Sequence, residues 1–266
     1  MFFTKMNAYG NDYVYVDCFS ESVPFPAETA KRICRRHSGI GADGLVLLCP
    51  SRVADYRMRI FDPDGTEAEM CGNALRSSAF LFRTTHEKKD RLTVETGGGL
   101  RDVFFPGTEE GNGIVTDFGA PDVSFVERPV EVLGESLLLT SLSFGNPHCV
   151  LFTDDLTDER FFRLGPAIEK HGLFPERTNV EFVTVTDETH LKLRTWERGC
   201  GETLSCATGS GAAVVAAVLT GRAGRRAFVA QSAGALWAEW KDGGSVLVTG
   251  DTRIVFTGTI DTESKG

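Results

Sequence analysis

The chain has 266 residues, 41% of them hydrophobic and 24% charged, with a formal net charge of −9 and a pI near 5.1. That length suits one large domain or two of ordinary size, and so acidic a chain is a poor binder of nucleic acid or anionic lipid. No apolar run approaches the roughly 20 residues that span a bilayer, and the start, MFFTKMNAYGND, turns polar too early for a signal peptide.

Taken in chain order, most of the sequence predicts short strands. VYVD precedes an amphipathic stretch over 28–37; GLVLL and YRMRIF follow. In YRMRIF, Tyr56, Met58 and Ile60 face one way and Arg57 and Arg59 the other, the period-two signature of a strand. After Cys71, Leu75, Ala79 and Phe82 are spaced for one helix face. LTVET, RDVFF, GIVTDF and CVLF come next as strands, then a second amphipathic stretch over 157–171, then NVEFVTV and HLKLRTW. After Cys206, GSGAAVVAAVLTG is apolar almost all round and stops near Gly221; a helix without a polar face is buried on all sides. ALWAEW, SVLVTG and RIVFTGTI close the chain as strands.

Seven cysteines are present, at 18, 34, 49, 71, 149, 200 and 206. The number is odd, there is no CxxC, and no Cys/His group has zinc-ligand spacing, so neither a disulfide framework nor a metal site is expected. Free thiols in a reducing cytoplasm fit this usage. The default role of a free cysteine is a small buried hydrophobe, which leaves the question of whether Cys71, at the start of a helix, is there to react.

The chain answers by repeating itself. Cys206 lies 135 positions after Cys71. The same offset carries Arg59 to Arg194, Phe61 to Trp196, Asp62 to Glu197 and Glu67 to Glu202. Upstream it carries Gly10-Asn11 to Gly145-Asn146; downstream it carries Arg91, Val94 and Gly99 to Arg226, Val229 and Gly234. The expected architecture is α+β: two pseudo-symmetric domains, each a mixed, barrel-like β sheet around a central helix that begins at its cysteine. The domains are assigned to residues 1–118 plus 251–266 and to 119–250. RIVFTGTI returns to the first because the second half already has its own repeat complement.

A helix N-terminus carries about half a positive charge and unpaired N–H groups, so a cysteine there has its thiolate stabilised. The N–H groups of Gly72, Asn73, Ala207 and Thr208 could hold a carboxylate. Two domains facing each other across a pseudo-twofold axis would place one thiol on each face of a ligand in the cleft between them. That arrangement suits inversion at a carbon centre: a thiolate removes the Cα proton and the opposite thiol returns one. Fixed dipoles aimed at the enolate-like carboxylate would stabilise the carbanion. No pyridoxal site or dinucleotide-binding glycine fingerprint is evident, and no cofactor is required. Two thiols flanking one carbon should also form a disulfide under oxidation, making activity depend on reductant.

The motifs TKMNAYGND, HSGIGADGL, RIFDPDGTEAEMCGNALR, GNPH, NVEFV and WERGCGETLSCATG, in this order, resemble the diaminopimelate epimerase family from residue 4 to about residue 260. The resemblance implies a pyridoxal-independent epimerase interconverting LL- and meso-diaminopimelate, on the route to lysine and peptidoglycan. It implies Cys71 and Cys206 as the catalytic thiols, donor and acceptor respectively, with roles that swap with direction. His148 and Glu197 match residues that tune the thiols, and Asn11, Asn146, Asn179 and Arg198 match substrate-binding positions. The cradle at Gly72, Asn73, Ala207 and Thr208 matches as well. Arg198 suits a distal carboxylate through its planar fork.

Three positions depart from the family pattern. Asp62 stands where Asn is usual, Ala207 where Gly is usual, and Gly44 where some members contact substrate through Gln. Asp62 motivates a rival reading, a racemase of another, basic amino acid such as histidine. A non-catalytic amino-acid binder and a cysteine hydrolase using Cys206 with His148 are further alternatives, the duplicated cysteine speaking against the last. The partner is a small-molecule amino acid. The oligomeric state is left open, and a homodimer is compatible with the chain.

Overall fold

The computed structural model describes residues 1–107, 113–242 and 244–261. The chain divides into two compact units, residues 1–116 with 250–266 and residues 117–249. In the first unit, β1 (Phe2–Ala8), β2 (Asn11–Asp17), α1 (Pro26–Ile33), β3 (Gly44–Cys49), β4 (Tyr56–Phe61), β5 (Glu67–Ala68), α2 (Gly72–Thr85), β6 (Arg91–Thr96) and β7 (Gly99–Phe104) follow in order, with β8 (Ile114–Asp117) at its end. The second holds β9 (Asp122–Val132), β10 (Glu135–Ser143), β11 (Pro147–Phe152), α3 (Asp158–Glu169), β12 (Asn179–Asp187), β13 (His190–Glu197), β14 (Gly201–Thr203), α4 (Ala207–Leu219), β15 (Arg226–Gln231), β16 (Gly234–Trp240) and β17 (Val246–Gly250). The last strand, β18 (Arg253–Thr259), pairs antiparallel with β1.

Within the first unit, β1 pairs antiparallel with β2, β2 runs parallel to β3, β3 antiparallel to β4, and β4 parallel to β6, which turns back into β7. One face of this mixed sheet, with Met6, Tyr13, Tyr15, Val46, Leu48, Tyr56, Met58 and Ile60, closes on Ala74, Leu75, Ala79 and Phe82 of α2. The other face presents Val14, Val16, Leu45, Leu47 and Phe61 to Ala30 and Ile33 of α1. β2 and β3 are covered on both sides, so they read as apolar runs, as parallel strands do. In β4 the alternation holds: Tyr56, Met58 and Ile60 are buried, Arg57 is exposed and Arg59 partly so.

The second unit repeats the order. β9 and β10 pair antiparallel, as do β10 and β11; β11 runs parallel to β12, β12 antiparallel to β13, and β13 parallel to β15. α4 packs against β10, β11, β12, β13, β15 and β16, while Phe161, Leu164 and Ile168 of α3 pack on the other face with Leu151, Val180 and Phe182. The register is the same in both units. Tyr56 opposes Val94 as Leu191 opposes Val229, and Tyr13 opposes Gly44 as His148 opposes Asn179. The exposed Arg59–Glu67 pair, at 2.7 Å, recurs as Arg194–Glu202, at 2.8 Å.

The structure corrects two expectations. α2 is buried from Gly72 through Arg83 and not along one face only, because the sheet wraps it. The sequence reading also missed β1, β9, β10 and β15 and the two short strands β5 and β14. β1 carries Lys5 into the interior, where it pairs with Asp12. β9 contains Pro129 and alternates exposed with partly covered residues along most of its length, which a strand paired on one side tolerates.

Candidate active site

Cys71 is the N-cap of α2, in extended backbone (φ −136, ψ 124), and its carbonyl accepts from Leu75 N at 2.9 Å. Asn73 sits in the first turn, where its Nδ2 donates to Asn11 Oδ1 at 2.7 Å, and its Oδ1 accepts from Arg76 Nη1 at 2.9 Å. Gly10, at φ 87, makes the turn that delivers Asn11 to the start of β2. Two positions further, the Tyr13 hydroxyl donates to Cys71 Sγ at 3.6 Å. Gly44 lies opposite Tyr13 in the ladder, and a Cβ on it would stand 2.8 Å from Phe61 O and from the Tyr13 ring. A side chain at 44 would therefore require the Tyr13 ring and the end of β4 to shift. Asp62 follows β4 and is half-buried; removal from water, joined by the charge of Asp64, pushes its carboxyl up to about 6.

The second unit builds the matching cluster. Cys206 is the N-cap of α4 (φ −125, ψ 115); its Sγ accepts from Gly209 N at 3.2 Å and its carbonyl from Ser210 N at 3.0 Å. Thr208, in the position of Asn73, accepts from Asn146 Nδ2 at 3.1 Å, and each of these pairs spans 62 positions. Asn146 Oδ1 is buried without a hydrogen-bond partner. His148 is fully buried, with Nδ1 2.7 Å from Glu181 Oε1 and Nε2 without a partner. Glu197 accepts from Thr203 Oγ1 at 2.7 Å. Burial raises the Glu197 carboxyl above its ordinary value, and the nearby Glu181 charge adds to this; Thr203, His148 and the Cys206 thiol oppose it. Cys206 is pushed well up by its burial first, then by Glu197 and Glu181, with Thr208 and Gly209 opposing.

Asn179 spends both ends of its amide on backbone, donating to Pro147 O and accepting from Arg198 N, each at 2.9 Å. It pins the ends of β11 and β13 to each other. Arg198 also reaches Glu176 O at 3.5 Å. Ala207 and Gly72 are the first helical residues of α4 and α2, so the methyl of Ala207 sits in helical backbone, where it is tolerated. Cys200 is exposed in the turn after β13, and Cys149 is buried.

Four residues escaped the sequence reading: Tyr13, Arg76, Glu181 and Gln231, whose Oε1 accepts from Cys206 N at 2.7 Å. The repeat held the signal for the first, since Tyr13 is the register partner of His148 under the shared offset. Glu181, a lone acid inside an apolar strand, is the mark of a paired buried charge.

Each unit is thus a mixed α+β assembly of strands around a helix capped by a cysteine. The chain is similar in structure to a hydroxyproline epimerase from Agrobacterium vitis (TM-score 0.75, 14% identity, covering 98% of this chain and 90% of the other). It is also similar to a PhzF-family phenazine biosynthesis protein from Bacillus anthracis (TM-score 0.72, 18% identity, covering 97% and 98%). In sequence, the family described as diaminopimelate epimerase matches residues 3–123 and 140–255. Relatives that carry that description include proteins from Pelotomaculum thermopropionicum, 48% identical over 97% of this chain and 98% of the relative, and Methanococcus maripaludis, 41% identical over 98% and 100%. The chain belongs to the diaminopimelate epimerase family.

Proposed function

We propose that this chain interconverts LL- and meso-diaminopimelate by moving a proton at one Cα, with Cys71 and Cys206 as the two acid–base groups. The observation that carries the reading is the recurrence of a helix-capping cysteine at the same place in both units, in a chain nearly half identical to a curated diaminopimelate epimerase. The thiolate takes the Cα proton and the other thiol delivers its own to the opposite face, so one proton enters the protein and one leaves, and net charge is conserved. In the reverse direction the two exchange roles. The first-turn N–H groups of α2 and α4, at Gly72, Asn73, Ala207 and Thr208, hold the carboxylate next to the reacting carbon and stabilise its enolate-like form. Asn11 and Asn146 receive the α-ammonium; the buried, unpartnered Oδ1 of Asn146 is an acceptor suited to it. Arg198 and Asp62 meet the distal end. His148 and Glu197 adjust Cys206, and Asn179 and Gly44 shape the site.

The test is wash-in of solvent deuterium. Incubated with LL-diaminopimelate in D₂O, the protein is expected to place deuterium at one Cα and to yield the meso form, read by proton NMR. Cys71→Ser and Cys206→Ser should each lower turnover by at least about 100-fold. Exchange equal to the no-protein control would sink the reading. A panel of single amino acids, histidine included, run in parallel asks whether Asp62 has redirected the distal specificity.

We place the reaction in the cytoplasm, where the seven free cysteines stay reduced; among the described residues no helix is long and apolar enough to cross a membrane. We also infer self-association through β18, whose consecutive Ile254, Val255 and Phe256 are exposed. Exposed apolar residues gathered on one strand mark an association surface. Sedimentation velocity should show a dimer that Val255→Lys converts to monomer.

A further inference from the structure

The two cysteines share their strongest common influence, since each caps a buried helix, so the positive end of the helix favours both thiolates alike and does not choose between them. What differs between the units at matched positions must decide. Arg76 on α2 corresponds to Gly211 on α4, Val46 on β3 to Glu181 on β12, and Tyr13 on β2 to His148 on β11.

Around Cys71, the Arg76 guanidinium is fully buried one turn along the helix. Nη1 is held by Asn73, while Nε and Nη2 have no hydrogen-bond partner. Its electrostatic neighbours are Tyr9, Cys71, Asp251 and Tyr15. Tyr13 adds a hydroxyl donor to Sγ, and Asp62 stands at the end of β4. A buried cation with unspent donors favours a nearby anion.

Around Cys206 the balance is reversed. Glu181 from β12 and Glu197 from β13 both act against a thiolate. Glu181 lies so close to the start of α4 that a Cβ on Gly209 would stand 2.9 Å from its Oε1. His148 from β11 is engaged with Glu181 through Nδ1. The donors to Sγ are Gly209 N at 3.2 Å and the Thr208 hydroxyl at 3.5 Å.

We propose that in the free protein Cys71 is the thiolate and Cys206 the protonated thiol, with Arg76 and Glu181 as the positioning residues that set them apart. This rests on the two-thiol reading and deepens it. The free enzyme is armed for the epimer that offers its Cα proton to Cys71. After one turnover Cys71 holds the proton and Cys206 the charge, and the protein returns to its starting state by exchanging one proton with solvent at each sulfur.

The experiment titrates each sulfur separately in the unliganded protein. Brief exposure to iodoacetamide between pH 5.5 and 9.5, followed by digestion and mass spectrometry, gives the rate at the Cys71 and Cys206 peptides. Each midpoint reports ionisation independently of how accessible the sulfur is. The Cys71 midpoint is expected to lie at least about 1 pH unit below that of Cys206. Glu181→Gln should lower the Cys206 midpoint and leave Cys71 in place. Arg76→Met should raise the Cys71 midpoint, and Arg76→Lys, which keeps the charge, should restore it. A Cys206 midpoint at or below that of Cys71 in the parent protein overturns the proposal, whatever the fate of the Arg76→Met fold; so do midpoints indifferent to Glu181→Gln. Absence of deuterium wash-in would instead count against the proposed activity and leave the order of the midpoints untouched.

Discussion

Asp62 stands where the family's usual residue is a neutral amide; its ionisation bears on stability and, under the proposed function, on specificity. Its carboxyl is raised from 3.8 to about 6, burial being the larger cause and Asp64 the smaller. A carboxyl raised on folding favours the folded state while it is protonated. That contribution is complete below the unfolded value and is lost as pH rises through about 6. Asp62→Asn never ionises, so it should gain on the parent protein as pH rises. The expected gain between pH 4 and pH 7.5 is on the order of 1–2 kcal/mol, reduced for screening because the group is half-exposed. Melting curves of both proteins at the two pH values check this; a difference that stays constant with pH would contradict it. The same variant should favour diaminopimelate over single amino acids in turnover, since a neutral amide does not repel a distal carboxylate. A substrate profile unmoved by the change would remove Asp62 from the specificity argument.

At the scale of single elements, α3 shows how closely a helix is fitted to its sheet. A Cβ on Gly165 would stand 2.9 Å from the Trp196 ring of β13, and Trp196 Nε1 donates to Glu169 Oε2 of the same helix at 2.8 Å. Gly165→Ala is expected to cost about 1–3 kcal/mol by overpacking. The denaturant midpoint should fall with the slope unchanged. Much at this scale was legible in the sequence: the alternation of YRMRIF, the all-apolar run of α4, and the cysteines at the helix starts. What stayed hidden has physical reasons. β1 reads as polar because its Lys5 is neutralised from another strand, by Asp12, and a partner distant in sequence leaves no local trace. Arg76 reads as the polar side of an amphipathic helix, yet the enclosing sheet buries it completely; periodicity reports a helix and not how many of its sides are covered. Tyr13 and Glu181 each needed the register between parallel strands before their neighbours could be named.

At the scale of the whole chain, duplication has kept the scaffold and changed the chemistry. The ladder registers, the Arg–Glu pairs and the Asn clamps at the helix starts recur at one offset without a gap. Near the sulfurs three matched positions differ in chemistry: Arg76, Val46 and Tyr13 of one unit correspond to Gly211, Glu181 and His148 of the other. On the proposed reading, these unlike surroundings suit one thiol to take a proton and the other to give one. β18 adds a further consequence. Its end meets the beginning of β1, where the Met1 ammonium donates to Ile260 O at 3.0 Å and Ile260 N to Met1 O at 2.9 Å. A circularly permuted chain, with residue 266 linked to residue 1 and new ends opened between Gly119 and Ala120, would therefore make each unit almost continuous in sequence while cutting no strand.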